Sequence, residues 1–431
     1  MSRILVRGGR VLDPSTDKDE MSDVLVEDGK IVAVGPELDV RGAEVLDASE
    51  CWVAPGFIDM HTHLREPGQE YKEDLASGGR AAVAGGFTAL ACMANTEPVN
   101  DDPSVTEFIR ERASQDSPAR VYPIAAATQG LEGKVMTEMS ALRAAGAVAF
   151  SDDGKTIMDS GVMRRVLEYS RLIDALVVVH AEDCSLVGHG VVNEGPISTK
   201  LGLPGNPTLA EDILVGRDLA LARLTGARLH IAHISSAGSV AMVRLAREEG
   251  IQVTAEVSPH HLTLTDEAAL GFDTNTKMAP PLRSRADVEA CRAGLAEGVI
   301  DAIATDHAPH AVHEKEQDFE GAPPGILGLE TAFSVVLDLV RDEVVTPFEL
   351  VRRLSTAPAQ LLGVEGGTLR EGAAADIAVL SPERRWTYDP AKGYSKSRNS
   401  PWAGKQFEGR VEATLVAGKL VYHADRGVLV D

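Results

Sequence analysis

One rhythm constrains this chain more than anything else in it. Eight short apolar runs, at 51–60, 86–93, 120–127, 147–150, 175–180, 228–234, 252–257 and 299–305, are separated by amphipathic stretches such as 209–224 and 239–249. Apolar residues recur at helical spacing within those stretches. Strand and helix in alternation call for a parallel sheet, and eight repeats call for a closed (β/α)8 TIM-type barrel. A doubly wound open sheet is the alternative. It calls for a glycine-rich phosphate loop after an early strand, and none is convincing. At 431 residues the chain is too long for one small core and suits a large barrel with an appendage.

The appendage is written at the two ends. Residues 4–12 and 23–34 each place a glycine turn between alternating apolar runs, the first at Gly8-Gly9, and Glu27-Asp-Gly-Lys30 is a hairpin signal. The same style returns at 367–380 and at 411–422, where a turn is expected at Gly418-Lys419. Strands of this kind at both ends, and none between, predict one small β-sandwich domain from residues 1–53 and 365–431. The barrel then occupies 54–364. Two separate caps are the alternative.

In a barrel, chemistry sits at the C-terminal ends of the strands. The first run ends in His61 and His63. Residues i and i+2 of a strand share a face, so two imidazoles aim at one point. Imidazole is largely deprotonated near neutral pH and ligates metal without help. The second run ends at Asn95, the fourth at Asp152 and Asp153, and the fifth at His180. The sixth ends at His233, the seventh at His260 and His261, and the eighth at Asp306. Histidine or aspartate closes six of the eight runs, which chance placement of 12 histidines does not produce. Four imidazoles (His61, His63, His180, His233) and two carboxylates (Asp153, Asp306) make a donor set suited to zinc. Six donors exceed four-coordinate zinc. Either two ions share a bridge, or one ion binds and a carboxylate stays free as base. Asp306, last on the last run, is the candidate for moving a proton to a leaving nitrogen. The chemistry expected is hydrolysis.

Composition narrows the partners. A formal net charge of −23 argues against nucleic acid or an anionic membrane. It leaves room for a small anionic substrate, because an arginine and a metal reverse the local field in a cleft. No apolar run reaches the roughly 18 residues needed to span a bilayer, and the first residues carry no secretory core, so a cytoplasmic location is expected. Four scattered cysteines without a CxxC pair predict buried thiols in a reducing compartment.

The ligand pattern on an eight-stranded barrel resembles the amidohydrolase superfamily. Three stretches are more specific: His61-Thr-His-Leu-Arg-Glu-Pro-Gly68, Phe150-Ser-Asp-Asp-Gly154 and Ala304-Thr-Asp-His-Ala-Pro-His310. In this order they resemble the bacterial class I dihydroorotases, and the likeness runs the whole length, including 367–377. The resemblance implies reversible, zinc-dependent cyclisation of N-carbamoyl-L-aspartate to L-dihydroorotate in de novo pyrimidine biosynthesis. It implies that His61 and His63 hold the buried metal and that His180 and His233 hold a second. Asp153 would bridge where many relatives carry a carboxylated lysine, and Asp306 would be both ligand and acid/base. Arg65, Asn95 and His310 would hold the substrate carboxylate, and the loop with Ala322 and Gly325 would offer backbone amides to the ring. One or two zinc ions per subunit, a homodimer and aspartate transcarbamoylase as partner belong to the same expectation.

Two positions depart from that pattern. Ala279 stands where a substrate-side asparagine is expected, and Pro324 where an aromatic residue is expected. Two other readings compete. A related cyclic amidase for hydantoins, dihydropyrimidines or allantoin usually carries the bridging lysine, which 147–153 lacks; Lys155 is the one lysine nearby. An inactive transcarbamoylase scaffold tends to lose metal ligands, and here all are present. His307 is expected in packing, His260 and His261 in supporting positions, and His189, His230, His313 and His423 as ordinary residues.

Overall fold

The structure is a computed structural model and describes residues 3–39 and 41–429. Eight parallel strands pair in chain order: Phe57–Thr62, Phe87–Cys92, Arg120–Ala125, Ala149–Phe150, Leu176–Val179, Arg228–Ile231, Val253–Val257 and Ala302–Ile303. Alternate residues face opposite sides. Ile58, Ala89, Ile124, Ala149, Leu176 and Ala302 cluster inside the ring, where Ala359 and Leu362 join them. Phe57, Leu90, Val121, Phe150, Val177 and Leu229 belong to the larger core shared with the helices.

The first and last strands meet without a continuous ladder. A bridge pairs Thr62 with His307, and the His63 N–H donates to the His307 carbonyl at 2.9 Å. Beneath it, Asp59 accepts from the Thr305 N–H at 3.0 Å and from its hydroxyl at 2.5 Å. Burial pushes the Asp59 carboxyl up to about 7, against the pull of those bonds. A buried side-chain pair thus stands in for ladder at the barrel seam, directly below the site.

The amphipathic stretches form helices. Thr208–Thr225 buries Leu214, Val215, Leu219 and Ala222, and Ala237–Glu248 buries Val240, Val243 and Ala246. Ser236 caps the latter by accepting from the Ser239 N–H, three residues after His233. No helix among the described residues is long and apolar enough to cross a membrane.

The two ends build one separate sheet. Trp52–Pro55 pairs with Arg3–Asp13 on one side and antiparallel with Ile377–Thr387 on the other. Lys18–Glu27 and Lys30–Gly35 extend the first side; Gln406–Val416, Lys419–His423 and Gly427–Val428 extend the second. Val6, Val24, Val26, Val53, Ile377, Val379, Ala413 and Leu415 share its core.

Two local expectations differ from what forms. The 51–60 run splits at Gly56, with Trp52–Pro55 in the terminal sheet and Phe57–Thr62 in the barrel. A Cβ on Gly56 would lie 2.2 Å from the Thr88 side chain, so only glycine passes between the two sheets. Gly8-Gly9 makes no turn. Arg3–Asp13 is one strand whose register against its neighbour shifts between Val6 and Gly9, a bulge that absorbs the glycines.

Candidate metal and substrate site

The six expected donors meet at the C-terminal rim of the barrel. Asp153 stands at their centre and its two oxygens look in different directions. Oδ2 lies 3.4 Å from His61 Nε2 and 3.5 Å from His63 Nε2. Oδ1 lies 3.5 Å from His233 Nε2 and 3.7 Å from His180 Nδ1. Asp306 Oδ1 closes the first group at 3.1 Å from His63 Nε2 and 3.5 Å from His61 Nε2. All six side chains are buried. Each of the sets His61–His63–Asp153, Asp153–His180–His233 and His61–His233–Asp306 brings its donor atoms within 4.8 Å of one another.

Three of the histidines have a partner at the far ring nitrogen. His61 Nδ1 donates to Glu256 Oε1 at 2.7 Å, and His63 Nδ1 donates to Asn95 Oδ1 at 2.9 Å. His180 Nε2 faces Glu182 Oε2 at 3.6 Å. Such partners fix the tautomer and aim the free nitrogen. His230 Nε2 lies 3.2 Å from the second Glu256 oxygen, and its Nδ1 contacts the Thr254 hydroxyl at 2.8 Å. Glu256 and His230 were not among the expected functional residues, and His230 was set aside as ordinary. The available signal was a glutamate in an otherwise apolar strand, Val253–Val257. A lone carboxylate at that depth is costly unless paired.

Charge follows from these contacts. Burial raises the Glu256 carboxyl, but His230 and His61 outweigh it and hold it down to about 2. Burial likewise opposes ionisation of Asp153 and Asp306, yet the surrounding imidazoles keep both well below the carboxylate range. Those carboxylates in turn raise His61 against its own burial. A metal ion binding here competes with protons for the imidazole nitrogens it ligates.

Arg65 lies beside the cluster at a positive φ of 63°. It is buried and donates from Nε to the Pro309 carbonyl at 3.2 Å, with Nη2 3.5 Å from His310 Nε2. Burial pulls the guanidinium down to about 10 against the pull of Asp306 and Glu314, so it stays cationic at neutral pH. Three other expected substrate contacts are already engaged. His310 Nε2 donates to the Pro324 carbonyl at 2.8 Å, the Ala322 N–H to Asp318, and the Gly325 N–H to Lys277, both at 2.9 Å. The backbone amides of Ala322 and Gly325 are therefore not on offer to a ring, because the loop folds back on itself. Asn95 orients His63 with its oxygen, which the sequence did not foretell.

The remaining polar residues sort by contact. Asp152 accepts from the N–H groups of Ala127 and Thr128, each at 2.9 Å, and turns away from the cluster. His307 packs against Glu73 at 3.3 Å. Ser258 sits between His260 and His261 at 2.9 and 2.7 Å. Lys155 is exposed. All four cysteines are free.

The donor set fits a divalent cation. Two ligands held at 2.0–2.1 Å from one tetrahedral zinc lie roughly 3.3 Å apart, near the separations between histidine and carboxylate found here. His61 Nε2 and Asp153 Oδ1 are buried with no hydrogen-bond partner among the described residues. Orphaned groups of this kind each cost about 1–3 kcal/mol, and a cation between them would supply what the protein does not.

The same architecture recurs in solved structures. An L-hydantoinase (dihydropyrimidinase) from Arthrobacter aurescens superposes with a TM-score of 0.89 at 26% identity, covering 100% of this chain and 98% of that one. A dihydropyrimidinase from Brevibacillus agri superposes at 0.86 and 25% identity, covering 99% and 96%. A model described as "Amidohydrolase family" matches residues 222–422. Fold and ligand set together put the protein among the metal-dependent amidohydrolases. A model described as "Dihydro-orotase-like" matches residues 52–239. A dihydroorotase of Syntrophus aciditrophicus is 52% identical over 98% of this chain and 100% of its own length. One from Anaeromyxobacter dehalogenans is 53% identical over 99% and 100%. The chain belongs to the dihydroorotase family.

Proposed function

We propose that the protein is a bacterial class I dihydroorotase that interconverts N-carbamoyl-L-aspartate and L-dihydroorotate in pyrimidine synthesis. The observation that carries this is Arg65, a buried cation set beside a hydrolytic metal cluster, where a carboxylate substrate needs it. The family membership of the whole chain supports the same reading.

His61, His63, Asp153 and Asp306 would hold one zinc, and Asp153, His180 and His233 a second; the divided aim of the Asp153 oxygens supports two ions. Zinc held there supplies polarisation of a carbonyl and acidification of water. Arg65 and Nδ2 of Asn95 grip the substrate carboxylate. His310 joins them by exchanging the Pro324 carbonyl for the substrate as acceptor of its Nε2–H. Asp306, held ionised by its imidazole neighbours, takes a proton from the attacking water. The water oxygen bonds to the ring amide carbon, the carbon–nitrogen bond breaks, and Asp306 returns the proton to the leaving ureido nitrogen. Cyclisation runs the same steps backwards.

The division into 1–53 with 365–431, and 54–364, is supported by the sheet that joins both ends through Trp52–Pro55. The class I likeness extends the proposal to a cytoplasmic homodimer that associates with aspartate transcarbamoylase. Light scattering alone and with the transcarbamoylase tests both. A substrate panel of dihydroorotate, dihydrouracil, hydantoin and allantoin, with metal measured on the same sample, tests the activity. Dihydroorotate is expected to be the one good substrate; preference for dihydrouracil or hydantoin would move the protein to the hydantoinase side of the superfamily.

A further inference from the structure

Segment 395–400 lies beyond the barrel strands, yet it reaches the loops around Arg65. Its side of the contact is polar: Ser397, Asn399 and Ser400 are buried, while Lys396 and Arg398 are exposed. Asn399 is buried, and both ends of its amide are bonded. Oδ1 accepts the His310 N–H at 3.0 Å, while Nδ2 donates to the Ala308 carbonyl at 2.8 Å and to the Gly325 carbonyl at 3.0 Å. Its own backbone carbonyl accepts the Leu327 N–H at 2.9 Å. A flipped amide would set its one oxygen against two carbonyl oxygens and its NH2 against the His310 N–H, so the network admits one orientation. The same segment grips the loop after Arg65. The Ser397 hydroxyl donates to the Lys72 carbonyl at 2.7 Å, the Lys396 N–H to Glu73 at 3.2 Å, and Ser395 bonds Glu73 as well. Three loops thus converge on one strap: 65–73 with Arg65, 308–310 with the carbonyl that holds the Arg65 Nε, and 322–327.

We propose that Asn399 is a positioning residue for the substrate-carboxylate site, acting by fixing the 308–310 loop against which Arg65 is set. This rests on the dihydroorotase reading given above. Asn399 touches neither the metal ligands nor the attacking water. Its effect reaches substrate through His310 and through Pro309, whose carbonyl anchors Arg65. Loss of Asn399 therefore loosens the grip on the anion and leaves the metal centre intact. Small misplacements of such a clamp cost up to about a hundredfold in rate at low substrate.

The test compares zinc-loaded wild type with Asn399→Ala, Ser397→Ala, Arg65→Met and the Arg65→Met/Asn399→Ala double variant. Steady-state hydrolysis of dihydroorotate is read beside metal content and amide hydrogen exchange of peptides covering 306–312 and 322–328. Asn399→Ala is expected to raise KM at least about tenfold with kcat within about threefold, and to speed exchange in both peptides at unchanged metal content. In the Arg65→Met background it is expected to add less than about twofold to the loss of kcat/KM, because both act through one clamp. An unchanged KM, or losses that multiply, overturns the proposal. Ser397→Ala, which removes a single strap bond, carries the test if Asn399→Ala does not fold: an unchanged KM and unchanged exchange would then contradict it. A wild type inert toward dihydroorotate overturns the proposed function instead, and the exchange data still decide whether Asn399 fixes the two loops.

Discussion

Glu256 holds His61 from behind, its Oε1 accepting the Nδ1–H at 2.7 Å where both side chains are buried. The bond leaves Nε2 as the lone pair facing Asp153 and Asp306. Glu256→Gln keeps the shape but removes the charge, and is expected to weaken metal affinity about 10–100-fold. Competition against a chelating dye measures this. Unchanged affinity would make Glu256 a packing residue.

Asp306→Asn should fold and still fill the barrel seam, since the ladder substitute there is Asp59 with Thr305. Turnover is expected to fall about 10²–10⁴-fold with the loss of the acid/base. Circular dichroism and kcat on one preparation check both halves; near-normal kcat would assign the proton transfer elsewhere.

Arg65→Met removes the buried cation while keeping an unbranched side chain. KM for dihydroorotate should rise by one to two orders of magnitude, about the worth of a charge-assisted pair. Metal content should not change. An unaltered KM would take Arg65 out of the site.

Asp218 gives a pH test at a buried group outside the set of candidate ligands. Burial raises its carboxyl to about 6 despite Arg217 alongside, whereas the unfolded value is about 3.9. Between those values the folded chain binds a proton that the unfolded chain lacks. Stability from this group is therefore greatest below pH 4, falls as the pH rises to 6, and stays reduced above it. Asp218→Asn should gain Tm relative to wild type at pH 8 compared with pH 4. An equal difference at both would show the charge is not penalised.

The barrel and the cluster of candidate donors at its rim were legible because both obey a period. Eight apolar runs fix the strands, and residues ending a run fall on the rim, so His61, His63, Asp153, His180, His233 and Asp306 could be named in advance. Asp153 was separable from Asp152 by motif position; the reason in space is that Asp152 is consumed by the amides of Ala127 and Thr128. What supports the ligands was not legible. Glu256 reaches His61 from a different strand, and an isolated glutamate in an apolar run does not say which histidine it serves. Asn399 lies in a segment with no periodicity at all. The Gly56 split was hidden inside one apolar run, because a strand leaving one sheet and entering another keeps the same composition.

Metal-dependent ring hydrolysis is checked by removing and restoring the metal. Ring opening of dihydroorotate is followed on the same sample before chelation, after exhaustive metal removal, and after zinc is returned, with metal counted at each stage. Activity is expected to disappear with the metal and return with zinc. Full activity in the metal-free protein would contradict it.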